Sequence, residues 1–173
     1  YGLCYKELNN YEKALEYYLK GYEKEDRFKE DTYLLSDIGW LYDRFGKYED
    51  GEKFLSKAYE LGERNRWIHM ELGECLTRLG RYEEAVEKLL KSRELYIEEG
   101  KLPYSEDLEL AFCYAALKDK EKAEEHMKLS LDALGTYAES EKYLKKRFTE
   151  IREMINSISN SPQFFSKFKK FFS

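Results

Sequence analysis

Apolar residues recur along the chain at i, i+3, i+4 and i+7, as in Ile38, Leu41, Tyr42 and Phe45, a spacing that gathers them on one face of an α-helix. Breaks at Asn9-Asn10, Gly46-Lys47, Gly80-Arg81 and Lys118-Asp119 interrupt the pattern, with the residue types expected at a helix end and a tight turn. After each break a second helix opens, at Tyr11, Tyr48, Tyr82 and Lys120, and its inward face continues through Tyr18, Leu55, Leu89 and Met127. The pattern predicts paired helices following one another along the chain.

A frame of small residues fixes the period. Gly2, Gly39, Gly73 and Ala111 follow at intervals of 37, 34 and 38 residues. Ala14, Gly51, Ala85 and Ala123 come 12 residues after them, and Gly21, Ala58, Ser92 and Ser130 a further 7 on. Small side chains at fixed places let two helices approach more closely than the usual 8–10 Å that bulkier contacts impose. Four cycles with one internal spacing are an internal repeat.

Four stretches resemble the tetratricopeptide repeat: Tyr1-Gly2-x-x-Tyr5 with Ala14 and Tyr18; Ile38-Gly39-x-x-Tyr42 with Gly51 and Leu55; Leu72-Gly73-x-x-Leu76 with Ala85 and Leu89; and Leu110-Ala111-x-x-Tyr114 with Ala123 and Met127. The resemblance covers residues 1–134, with the first cycle truncated at its N-terminus. Two features depart from the family pattern. The proline between repeats is absent, and the aromatic at the front of the first helix is Leu35, His69 or Asp107. Extra residues near 26–31 and 98–103 lengthen two junctions.

The resemblance implies an all-α fold, a right-handed α-solenoid of about four helix–turn–helix repeats, in which the first helix of each repeat lines a concave groove. The ligand-facing positions fall on Tyr33, Ser36, Trp40, Asp43 and Arg44, then on Trp67, Met70, Glu74, Thr77 and Arg78. Leu108, Phe112 and Ala115 follow from the fourth cycle, and Leu3 and Lys6 from the first. The implied role is a non-catalytic scaffold or adaptor holding a protein partner's peptide or amphipathic helix. Family members that grip the carboxylate tails of chaperones use Asn, Lys and Arg here. This chain has Leu3, Trp40, Glu74 and Phe112, with Asp37, Glu71 and Glu109 beside them. Carboxylates facing a carboxylate ligand repel it, so chaperone tails are not the expected partner.

Beyond Leu134 the frame stops. Residues 137–157 read as one helix with Leu144, Phe148, Ile151 and Ile155 in a stripe, so 135–158 is predicted to cap the open face of the last repeat. The remainder, 159–173, is rich in Phe and Lys: Phe164, Phe168, Phe171 and Phe172 share one helical face, and Phe165 flanks it. Three readings compete for this tail: an end cap, a segment that docks in a groove of its own or a second copy, and a weak contact with an anionic membrane.

Charge sharpens the division. Residues 141–173 sum to +5 within a chain of net −5. The acidic remainder is poorly suited to phosphate backbones, so no nucleic-acid partner is expected. The start carries no secretory-signal pattern, and three cysteines without a CxxC pair fit a reducing compartment, so the expected location is cytoplasmic.

Candidate chemistry is thin. Cys4, Cys75 and Cys113 stand two residues after the small residue of their cycles, where Leu41 stands in the other, which predicts a buried apolar slot rather than a metal site. His69 falls on a packing face and His126 among charges, predicted at the surface. Adjacent acidic pairs such as Glu83-Glu84 do not face one another on a helix. No phosphate loop, nucleophile elbow or HExxH motif occurs, and neither a cofactor nor an enzymatic activity is expected.

Overall fold

The computed structural model describes residues 1–62, 65–134 and 142–158. Among these, helices follow one another without a strand: α1 (Gly2–Glu7), α2 (Tyr11–Lys24), a 3-10 turn (Asp26–Glu30), α3 (Thr32–Arg44), α4 (Tyr48–Leu61), α5 (Arg66–Arg78), α6 (Tyr82–Glu98), α7 (Tyr104–Ala116), α8 (Lys120–Leu134) and α9 (Lys142–Ile158). The chain divides into two compact units, one over Tyr1–Arg81 and the second from Tyr82 onward. The boundary falls between the two helices of the third cycle rather than between cycles.

The turns between paired helices share one geometry. Asn9, Gly46, Gly80 and Lys118 each take a left-handed conformation, with φ of 56°, 72°, 75° and 63°. Glycine enters that region freely and asparagine does so with local support, whereas a lysine there carries strain. Side-chain caps set the starts of α3 and α5. The Asp31 carboxylate accepts from the Tyr33 and Leu34 amides at the start of α3, and Asn65 accepts from the Trp67 amide at the start of α5. These caps satisfy amides that the helix itself leaves open.

In the first unit the frame glycines bring α3 and α4 together. A Cβ on Gly39 would lie 2.6 Å from Leu55 Cγ and 2.9 Å from the Gly51 carbonyl oxygen. Ala14, Tyr18, Ile38 and Leu41 form a buried cluster joined by Tyr11, Trp40 and Phe54, and Leu35, Ala58 and Ile68 form another. Each buried aliphatic side chain contributes on the order of 2 kcal/mol through apolar area removed from water.

In the second unit α7 packs against α6, α8 and α9. Leu110, Ala111, Cys113, Ala123 and Met127 are buried there. On α9, Phe148, Ile151 and Ile155 are fully buried, so the helix packs its apolar stripe against α7 and α8. The Phe-rich tail, with Phe164, Phe165, Phe168, Phe171 and Phe172, lies outside the described residues.

Two expectations are corrected. Cys4 is exposed rather than lodged in an apolar slot, unlike Cys75 and Cys113. His126 is buried, not at the surface. Its Nδ1 lies 2.7 Å from Asp107 Oδ1, and its ring stacks on Tyr114 at 5.4 Å. A charged neighbourhood in sequence hid a buried polar pair in space.

Candidate functional site

The first helices of the cycles carry the predicted groove residues, and each unit presents its own set. In the first unit, α3 and α5 run as neighbours joined by polar side chains. Arg78 Nη1 meets Asp43 Oδ2 at 2.9 Å. The Ser36 hydroxyl donates to Glu71. From α1, Lys6 pairs with Asp37, whose other oxygen accepts from the Tyr18 hydroxyl at 2.8 Å. Tyr18 is held protonated well above the ordinary phenol range by burial, with the Asp37 bond adding to it.

These links consume part of the predicted groove. Ser36, Asp43, Met70 and Thr77 are buried, and the Thr77 hydroxyl donates to the Gly73 carbonyl of its own helix at 2.8 Å. Asp43 lies in a dry setting, so burial raises its carboxyl above the ordinary range although Arg78 pulls it down. What remains open is narrower. Tyr33 is 73% exposed and Trp67 60% exposed, at the same register in consecutive cycles. Arg44 and Arg78 are also exposed, and Glu74 is half-buried.

Trp40 has a different role from Trp67. Its ring meets Tyr11 edge-on at 5.5 Å, with the Arg44 guanidinium 4.9 Å from the Trp40 ring and 4.8 Å from the Tyr11 ring. It is half-buried against the first cluster, and so ties α2 to α3. Sequence spacing put both tryptophans on the ligand side; only the three-dimensional neighbours separate a packed one from an open one.

In the second unit Leu108 and Ala115 are both buried. Phe112 is half-buried, because the Arg147 guanidinium of α9 lies 3.7 Å from its ring centre. Arg147 also donates to both oxygens of Glu109, at 2.7 and 3.3 Å. Behind this face, Asp107 Oδ1 accepts from Arg93 Nε and from His126 Nδ1, both at 2.7 Å. A carboxylate only accepts, so the His126 proton sits on Nδ1. Glu106 is fully buried and accepts from Ser92 at 3.0 Å and Ser105 at 2.9 Å. Sequence reasoning missed this network; two carboxylates at the front of a helix whose family position wants an aromatic were its one signal.

No group of three or more His, Cys, Asp or Glu able to hold a metal occurs among the described residues. Burial pushes the Cys75 thiol up to about 12, and its Sγ donates to the Tyr48 carbonyl at 3.3 Å, a setting that leaves no nucleophilic thiolate. No helix among the described residues is long and apolar enough to cross a membrane.

Paired helices on a small-residue frame, left-handed corners and first helices joined side by side define an all-α helical-repeat solenoid. The chain is a tetratricopeptide-repeat protein: family models for that repeat match residues 1–23 and 36–98. No curated protein matches it in sequence. Among solved structures it resembles MamA, at 15% identity over 98% of this chain and 87% of that one, with a TM-score of 0.75. It also resembles YrrB, described as a TPR protein with an unusual peptide-binding site, at 17% identity over 98% and 88% with a TM-score of 0.66. The Yersinia enterocolitica type III secretion chaperone SycD, in complex with a peptide of the translocator YopD, is 20% identical over 79% of this chain and 92% of that one, with a TM-score of 0.57. At these identities the likeness speaks for the fold alone.

Proposed function

We propose that the chain is a non-catalytic interaction scaffold whose first-helix faces hold a peptide or amphipathic helix of a protein partner. The observation that carries this reading is the pair Tyr33 and Trp67, large aromatic rings left in solvent at matching positions of α3 and α5. Exposed aromatics on a rigid scaffold are the side chains that most often anchor a partner. Helix caps hold both sites in place at little entropic cost, because Asp31 and Asn65 fix the first turns that bear them. The peptide bound by SycD and the peptide-binding site of YrrB support the reading by analogy of fold.

The test is capture of partners from the source organism by the intact chain, set beside the variant Tyr33→Ala with Trp67→Ala. The reading expects the variant to keep its helicity by circular dichroism and to lose its partners. Equal capture by both proteins would overturn it.

A further inference from the structure

The cycles of this chain repeat a polar constellation as well as a fold. In the second cycle, Asp37 stands two residues before the frame glycine and Trp40 one residue after it. Lys6 from α1 pairs with Asp37 and lies 5.1 Å from the Trp40 ring centre. In the fourth cycle, Glu109 and Phe112 stand at the same two offsets from Ala111. There Arg147 from α9 pairs with Glu109 at 2.7 Å and stacks 3.7 Å from the Phe112 ring centre. In two separate cycles, then, a carboxylate at one offset receives a cation delivered by a neighbouring helix, over an aromatic ring one turn further on.

The third cycle has the carboxylate without the cation. Glu71 stands two residues before Gly73. It accepts from the Ser36 hydroxyl, and it has no ion-pair partner among the described residues. Its aromatic neighbour lies on the other side along the helix: Trp67, one turn earlier on the same face, is 60% exposed, with the Arg66 guanidinium 3.8 Å from its ring centre. Glu74, one turn later, adds a second carboxylate; Arg78 reaches it at 3.4 Å while making its shorter contact with Asp43.

We infer that Glu71, with Trp67 beside it, is the receiving place for a basic side chain of the bound partner, a Lys or Arg within two positions of a bulky apolar residue. This rests on the proposed scaffold reading and adds the partner's chemistry to it. Trp67 and Glu71 are four residues apart on α5, about 6 Å along the helix axis. An extended peptide rises about 3.3 Å per residue, so two of its side chains on one side span that distance. The charged groups around Glu71 agree: Asp37 on α3 and Glu74 on α5 add negative charge, and Lys6 on α1 is held by Asp37. Desolvation raises the Glu71 carboxyl to about 7, with Asp37 and Glu74 adding to the rise and the Ser36 hydrogen bond and the Lys6 charge opposing it, the state of a carboxylate drawn out of water with no cation in direct contact.

The test uses short random peptides displayed on phage and selected against the intact chain. Selected peptides are then measured by fluorescence anisotropy beside copies in which norleucine replaces the basic residue. The expected result is enrichment of a basic residue next to an apolar one. Glu71→Gln, which keeps a hydrogen-bonding group of the same shape, should weaken the basic peptide by about tenfold and leave the norleucine copy unchanged. On the wild-type chain itself, affinity for the basic peptide should rise between pH 6 and 8 as Glu71 ionises, while the norleucine copy stays flat. Selected peptides that depend on Trp67 but carry no basic preference would overturn the role of Glu71 and leave the scaffold reading standing. Peptides indifferent to both Trp67 and Tyr33 would overturn both.

Discussion

Arg78 of α5 closes an ion pair of 2.9 Å onto Asp43 of α3, whose side chain is almost entirely out of water. Such a carboxylate is stable only while its counter-charge is present, and removing one partner leaves a buried charge without compensation. Arg78→Met should lower stability by about 2–3 kcal/mol, read from the urea midpoint. Adding Asp43→Asn to that variant should restore much of the loss. If the single and double variants unfold alike, the pair does not couple the two helices.

The two tryptophans should separate cleanly. Trp40→Ala removes a half-buried ring packed on Tyr11 and stacked with Arg44, and should cost about 2 kcal/mol. Trp67→Ala removes a ring that is mostly in solvent, and should stay within about 0.5 kcal/mol of the parent. Thermal unfolding followed by circular dichroism distinguishes them.

Gly39 admits no side chain. A methyl there would press on Leu55 and on the Gly51 carbonyl oxygen, the latter at 2.9 Å, and backbone cannot swing aside as a flexible side chain can. Gly39→Ala should destabilise by about 2–3 kcal/mol. Lys118→Gly, at a left-handed corner, should move the other way and raise stability by several tenths of a kcal/mol or more. Chemical denaturation of both variants checks the signs.

Desolvation of Glu71 makes stability depend on pH. Its folded carboxyl titrates at about 7, above the ordinary glutamate value of 4.5, so between those values the folded state binds more protons than the unfolded one. Stability therefore falls as pH rises through that window. Glu71→Gln should remove the slope, leaving the variant more stable than the parent at pH 8, by on the order of 2 kcal/mol, and equal to it near pH 4.5. A parent profile that coincides with the variant's across this range would remove the basis for a desolvated Glu71.

Asp107 holds Arg93 and His126 on one oxygen. Asp107→Ala should cost about 3 kcal/mol by leaving the buried His126 and the part-buried Arg93 without their acceptor. Adding His126→Leu should recover part of this. Urea unfolding of the single and double variants measures it.

Much of the architecture is legible in the order of the residues. The spacing of Gly39 to Gly51 foretells a close helix approach because small residues leave a periodic trace, and the corners at Asn9, Gly46, Gly80 and Lys118 stand out as breaks in the apolar pattern. Polar contacts between helices leave no such trace. Ser36 and Glu71, or Asp107 and His126, come together through packing rather than spacing, so Ser36 and Asp43 read as ligand-facing and His126 as a surface residue. Trp40 and Trp67 occupy different offsets from their frame glycines, yet both fall on helical faces that the family pattern assigns to ligand. Tyr11 packs edge-on against Trp40, whereas Trp67 stays 60% exposed with the Arg66 guanidinium of its own helix stacked on it.

The links between first helices also bear on how such an array can grow. Lys6 fits Asp37, Ser36 fits Glu71 and Asp43 fits Arg78, and each junction uses a different lock. An extra copy of the second cycle inserted after itself would set Ser36 against another Asp37, one methylene shorter than Glu71, and Asp43 against another Arg44, whose guanidinium already lies between Tyr11 and Trp40. The cycles of this protein share one outline but are non-interchangeable parts, each legible only to its own neighbour.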